Sequence, residues 1–277
     1  MNGLIIVNKP KGITSRDVVN FISKSLNIKK VGHNGTLDPI AEGVLVICLG
    51  KYTKLNNLLT STFKEYIAKV RLGIETDSLD ITGNIIKETS DKLNINDLKK
   101  TLNEFPKKYL QEVPKYSAVK INGKKLYEYA RENIDVTLPK REVNILSLEL
   151  INYNEKTFSF KTKVSKGTYI RSLIKDILNN MFVIGTMEEL TRTKQGIFDI
   201  KDACSLEDIE KGKYKILKIK DVLDIQTVEV DENLKNKIIN GCKIFGDYPD
   251  KVLFLHKNEE LAIYKKEGNL YRVDVML

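Results

Sequence analysis

A chain of 277 residues, 42% hydrophobic and 30% charged, exceeds the usual single-domain length, so one large domain with a smaller companion is expected. Forty-six Lys and Arg against 37 Asp and Glu leave a net charge of +9, which permits attraction to a polyanion without proving it. Cys48, Cys204 and Cys242 are odd in number and far apart, and His33 and His256 are the only histidines, which speaks against a disulfide framework, a zinc site or a multi-histidine metal centre.

No apolar run approaches the roughly 20 residues that span a bilayer. The opening MNGLIIVNKPKG lacks a basic stretch followed by a long apolar one, so a cytoplasmic protein is expected. Residues 3–8 read as a buried strand entering a turn at Lys9-Pro10-Lys11-Gly12. A helix follows, with Ser15 as N-cap and Val18, Val19, Ile22 and Leu26 on one face. Two glycines, an Asn-Gly pair and an Asp-Pro pair within residues 31–39 predict a loop. Residues 43–49 and 63–72 are strands, the second carrying Tyr66, Ala68, Val70 and Leu72 on one face.

Residues 96–105 form a short amphipathic helix closed by Pro106, and residues 113–121 are extended up to a tight turn at Asn122-Gly123. Two further strands, 141–153 and 157–164, precede a change of period. From 168 to 181, Ile170, Leu173, Ile174, Ile177 and Leu178 recur at helical spacing, which puts Arg171 in the first turn. Beyond Lys220 a helix over 232–240 stops at Gly241, and strands follow near 252–255, 261–264 and 270–275. The fold class is α+β, divided into residues 1–224 and a small module of residues 225–277.

Chemistry concentrates in Gly32-His33-Asn34-Gly35-Thr36-Leu37-Asp38-Pro39, which holds an imidazole and a carboxylate between structured segments. Alone it supports two readings: an active-site loop, or an Asx-type turn in which Asp38 accepts backbone N–H groups and His33 is incidental. On periodicity Tyr66 reads first as a core aromatic on an alternating strand, with a stacking platform as the functional alternative. Lys120, Lys124, Lys125 and Arg131 read as a solvated face or as phosphate contacts. His256 is structural or incidental.

Five segments decide between these alternatives. NKPKGITSRDVV, GHNGTLDPIAEGVLVICLGKYTK, the set Lys64-Glu65-Tyr66 with Arg71, Gly73, Thr76, Asp77, Asp80 and Gly83, then VPKYSAVKINGKKLYEYAR, and finally SKGTYIRSL resemble, in order and spacing, the motifs of the TruB pseudouridine synthases. Asn8 stands where that family often has aspartate. The resemblance implies a mostly antiparallel, mixed central sheet flanked by helices, with a short PUA-like C-terminal module. It implies Asp38 as the catalytic carboxylate, Arg171 as its partner and Tyr66 as the residue stacking on the target base.

By the same resemblance His33, Lys64, Tyr169, Leu190 and Asp80 contact substrate, while Lys9, Pro10 and Gly35 support the catalytic loop; Lys120 and Lys124, from their charge, are expected to hold RNA phosphates. The implied activity is isomerisation of the T-loop uridine at position 55 of tRNA, without cofactor, metal or guide RNA, by a monomer that flips the base out. Physics agrees with the pairing, because an arginine fork orients a carboxylate and favours its charged form. Two alternatives keep the same scaffold: a guide-RNA-dependent pseudouridine synthase and a non-enzymatic tRNA-binding or tRNA-folding protein.

Overall fold

A computed structural model of the chain describes residues 1–59 and 63–277. From the N-terminus come β1 (Gly3–Lys9), α1 (Ser15–Ser25), β2 (Val31–Asn34), β3 (Glu42–Leu49) and β4 (Phe63–Leu72). Next are the hairpin β5 (Ile74–Thr76) and β6 (Ile85–Glu88), then α2 (Ile95–Glu104) and β7 (Lys108–Glu112). The short hairpin β8 (Lys120–Ile121) and β9 (Lys124–Lys125) leads into α3 (Leu126–Arg131). The larger part of the chain continues with β10 (Lys140–Tyr153), β11 (Thr157–Ser165), α4 (Ile170–Asn180), β12 (Gly185–Gln195) and β13 (Phe198–Asp199).

Among the described residues the main sheet has nine strands, in the order β1-β3-β12-β4-β11-β10-β7, with β2 on β3 and β13 on β12. Pairing is antiparallel except between β12 and β3, where Thr191 and Arg192 align in parallel with Glu42 and Gly43. The β1–β3 pair is buried on both faces. Ile5, Val7, Leu45 and Ile47 meet Val18, Val19 and Ile22 of α1, together with Ile209 of α5 (Leu206–Glu210). Leu4, Ile6, Val44 and Val46 meet Leu253, Ile263 and Leu277 of the C-terminal module.

That module follows α6 (Ile219–Val222) and comprises β14 (Gln226–Glu229), α7 (Glu232–Ile239), β15 (Lys251–His256), β16 (Glu259–Glu267) and β17 (Leu270–Met276), its strands forming a second sheet in sequence order. The rest of the main sheet buries Ala68, Val70, Phe158 and Phe160 against the apolar face of α4, namely Leu173, Ile174, Ile177 and Leu178. The expected strand over 63–72 alternates inside and outside as read from sequence, and that over 157–164 does so except at Ser159, which is buried. Among the described residues no helix is long and apolar enough to cross a membrane.

Three local expectations are corrected. The N-cap of α1 is Thr14, in a capping box with Asp17, while Ser15 is buried and turned to another use. Part of the predicted loop over 31–39 is strand β2, paired with β3 from Val31–Leu49 to Asn34–Val46. Residues 113–119 form no strand; Val113 and Ser117 bond backbone oxygens of Pro139 and Lys115 instead. The tight turn at Asn122-Gly123 does join a hairpin, with positive φ at both residues.

Candidate active site

The loop that carries Asp38 lies where one edge of β3 changes partner, from β2 at its far end to β12 at its near end. Backbone groups exposed at such a switch need other hydrogen-bond partners, and each residue from 34 to 39 has one. Gln195 Nε2 donates to Asn34 O and Oδ1, both at 2.9 Å. The Arg192 guanidinium donates to Gly35 O at 2.8 Å, Thr36 O at 3.3 Å and Val44 O at 2.7 Å. Ser15 Oγ accepts from Leu37 N and donates to Leu37 O. Asp38 O accepts from Ala41 N. Lys9 Nζ reaches Pro39 O at 3.5 Å while bonding Pro10 O and Ile13 O at 2.8 Å.

Arg171 comes from the second residue of α4 and is 5% exposed. It donates to Ser78 O and Tyr116 O, each at 2.9 Å, and pairs with Asp38 Oδ2 at 2.9 Å. Behind it, Asp80 Oδ2 stands 3.8 Å away, while Asp80 Oδ1 accepts from Ser78 Oγ, Thr82 N and Thr82 Oγ1. The arginine is therefore held on three sides and presents its remaining edge to Asp38. Asp38 keeps 39% of its side chain open to the cleft.

The cleft encloses about 370 Å³, and Tyr66, Lys64, Leu190 and Tyr169 line it with Asp38 and Arg171. Tyr66 and Arg192 are cross-strand partners, as are Ala68 and Leu190, so β4 and β12 present phenol, guanidinium and isobutyl groups on one face. Burial, then the charge of Arg192, lowers Lys64 to about 8. Burial likewise brings Lys9 to about 8, opposed by Asp38. Arg192 is fully buried and its pKa falls by desolvation, with the Tyr66 phenol and Asp38 acting in the opposite direction.

The structure thus gathers Asp38, Tyr66, Arg171, Lys64, Tyr169 and Leu190 in one cleft, with Lys9, Pro10 and Gly35 beneath or beside the loop. Asp80, expected to contact substrate, is 6% exposed, lies outside the cleft lining and faces Arg171 at 3.8 Å. His33 lies on β2 outside the cleft lining, and burial, then Arg16 and Arg192, lower its pKa. Lys120 and Lys124 sit on the β8–β9 hairpin, away from the lining; Lys124 pairs with Glu132 and covers the Tyr129 ring. His256 is remote and contacts Val230 O and Glu232.

Sequence reasoning missed Arg192, Gln195 and Ser15, the three residues that tie residues 34–37. The tetrapeptide ELTR carried the signal for one: on a strand, Arg192 shares a face with Leu190 two residues earlier. It also missed Tyr116, Ser117 and Tyr127, which cover the cleft from the 113–131 segment.

Comparison with known proteins places this geometry. Residues 23–170 match the family described as TruB family pseudouridylate synthase, N-terminal domain. The chain is 43% identical to tRNA pseudouridine synthase B of Caldicellulosiruptor saccharolyticus, over 98% of this chain and 97% of that one. It is 41% identical to the protein of the same name from Clostridium tetani, over 96% and 93%. Among solved structures, a chain of a Cbf5-Nop10-Gar1 complex superposes with a TM-score of 0.70 at 24% identity, covering 99% of this chain and 84% of that one. At that identity the likeness speaks to the fold alone.

Proposed function

The chain belongs to the TruB family of pseudouridylate synthases, and from that premise we propose that it isomerises uridine to pseudouridine in tRNA, at position 55 of the T loop. The bond from uracil N1 to ribose C1′ breaks and a bond from C5 to C1′ forms. C5 loses a proton and N1 gains one, so composition is unchanged and the reaction needs no redox partner or external group. The observation that carries this reading is the 2.9 Å pair of Asp38 with Arg171 in a cleft walled by Tyr66 and Leu190.

Asp38 opens the reaction, and the Arg171 guanidinium fixes the direction of its carboxylate. A cleft of about 370 Å³ falls within the range of small-molecule sites, about 300–1,000 Å³, and suits one extruded nucleotide. Flipping costs the stacking of the base, worth roughly 1–3 kcal/mol, and the Tyr66 ring restores it. Leu190 packs against the same base and Tyr169 closes the wall. Lys64 supplies positive charge inside the cleft; His33, Lys120 and Lys124 contact the RNA outside it. Asp80 acts through Arg171.

The protein works as a cytoplasmic monomer without guide RNA, with residues 1–224 as the catalytic domain and 225–277 as a reduced PUA-like module. Identities of 41–43% to proteins named tRNA pseudouridine synthase B favour this over the guide-dependent alternative. The test is incubation of the purified chain alone with unmodified tRNA, followed by mapping of pseudouridine along the strand. Conversion at position 55 is expected. Conversion only in ribosomal RNA would overturn the substrate, and no conversion in any RNA would overturn the activity.

A further inference from the structure

The first turn of α4 carries both Tyr169, its N-cap, and Arg171, yet Tyr169 offers no side-chain cap to the helix. A helix start that must aim an arginine needs fixing by something else. The fixing group is Gln111 of β7, which is 1% exposed. Its Oε1 accepts the Tyr169 N–H at 2.8 Å, and its Nε2 donates to Tyr169 O at 3.1 Å.

These two groups belong to the two peptide planes that flank one Cα. Holding both with one planar amide fixes the two dihedrals between them, here φ −98° and ψ 116°. The same Nε2 donates to Tyr109 Oη at 2.8 Å, and Tyr109 donates to Asp176 Oδ2 at 2.8 Å, one turn beyond Arg171. Ser172 Oγ donates to Glu112 O at 2.8 Å. Side chains of β7 and α4 are therefore bonded across at Tyr169, Ser172 and Asp176, and Arg171 lies within that span.

We propose that Gln111 is a positioning residue, which sets the Tyr169 backbone and thereby the aim of Arg171 at Asp38 without touching the substrate. The proposal rests on the reaction assigned above. A leucine at 111 would fill the space but leave the Tyr169 N–H without its acceptor and Tyr169 O with Leu173 N as its remaining donor, and would release the dihedrals that the amide holds. Errors of about 10–20° or about 0.5 Å are enough to degrade a preorganised site.

The experiment measures single-turnover pseudouridine formation, tRNA affinity and thermal unfolding for wild type, Gln111→Leu and Gln111→Glu, and for each change in an Arg171→Lys background. For Gln111→Leu the rate should fall by about tenfold or more, as expected from one lost hydrogen bond in the transition state, with affinity within about threefold. Should Gln111→Leu fail to fold, the isosteric Gln111→Glu decides. Its carboxylate cannot donate to Tyr169 O, whereas its protonated form can.

The rate of Gln111→Glu relative to wild type should therefore recover as pH falls from about 8 to about 5.5, since burial raises a carboxyl pKa into that range. The ionisable neighbours, Tyr109 and Glu112 on β7 and Lys175 and Asp176 on α4, are present in all the variants, so the pH response of Gln111→Leu, which adds no carboxyl, is the reference against which that of Gln111→Glu is read. In the Arg171→Lys background the Gln111→Leu loss should largely vanish, because the group being aimed has already been changed. Unchanged rates in both variants, or losses that add fully with Arg171→Lys, overturn the positioning role. An inactive wild type overturns the assigned reaction, and the positioning role with it.

Discussion

Replacing Arg192 by lysine tests whether the catalytic loop depends on a buried guanidinium. The side chain is fully buried and donates to three backbone carbonyls, of Gly35, Thr36 and Val44. A lysine ammonium is a single point and cannot serve all three positions of the fork. If two carbonyls lose a charged donor at about 1.5–3 kcal/mol each, the variant is about 3–6 kcal/mol less stable, a large part of a typical domain's 5–15 kcal/mol. The chain has no tryptophan, so urea unfolding is followed by far-ultraviolet circular dichroism and tyrosine fluorescence. Under conditions where the variant is folded, the loop bearing Asp38 has lost two anchors, and a displacement of about 1 Å costs about 100-fold in rate. A variant within about 1 kcal/mol of wild type and with an unchanged single-turnover rate would refute this account of the loop.

Asp38→Asn should abolish pseudouridine formation while tRNA binding stays within about tenfold, since one carboxylate adds little to affinity for a polyanion; nitrocellulose retention of labelled tRNA measures the second half. Asp80→Asn can keep the bonds to Ser78 and Thr82 but loses the charge 3.8 Å from Arg171, so turnover should fall by about tenfold or more with little change in melting temperature or KM. Tyr66→Leu should slow chemistry far more than it weakens binding, and equal losses in rate and affinity would mark a merely structural tyrosine. Lys64 titrates at about 8 in the fold against an ordinary 10.5. Between those values the unfolded chain binds more protons, so this group makes stability rise with pH. Urea midpoints at pH about 8 and about 10 should show a more positive pH slope for wild type than for Lys64→Met.

Much of this architecture was legible because apolar spacing has a single cause, one buried face. α1, β4 and α4 each keep the period of one buried face, β3 is a continuous apolar run because both its faces are buried, and each of them, like β11, matches its expected place to within two or three residues. β12 keeps no such period. After the buried Thr186, its buried residues Met187, Leu190, Arg192 and Gln195 are spaced three, two and three, because register shifts against β4 fall between Met187 and Glu189 and between Arg192 and Lys194. Two of those four are also polar. The strand that anchors the Asp38 loop thus carries no strand signature. β2 was hidden by its glycine and the Asn-Gly pair that follows, and α3 by having only six residues.

The candidate site divides in the same way. Motif resemblance named Asp38, Tyr66 and Arg171, and the fold brings them into one cleft. It could not show that Asp80 faces Arg171 rather than the cleft, which depends on how the 78–82 turn folds back on itself. Nor could spacing reveal Gln111, whose partner lies 58 residues away in the chain.

The first half of the loop holding Asp38 is fastened by side chains that occur much later in the polypeptide. Gly35 O and Thr36 O receive their donor 157 and 156 residues downstream, and Asn34 receives Gln195 after 161. At about 5–20 residues per second of synthesis, roughly 10–30 s separate the appearance of the acid from that of its anchors. Gly43 sits at the closing contact: a Cβ there would lie 2.3 Å from Arg192 O, so the late strand can dock only against a bare backbone. A growing chain therefore lacks these anchors until residues 192–195 have been made and the strand that carries them closes beside that glycine.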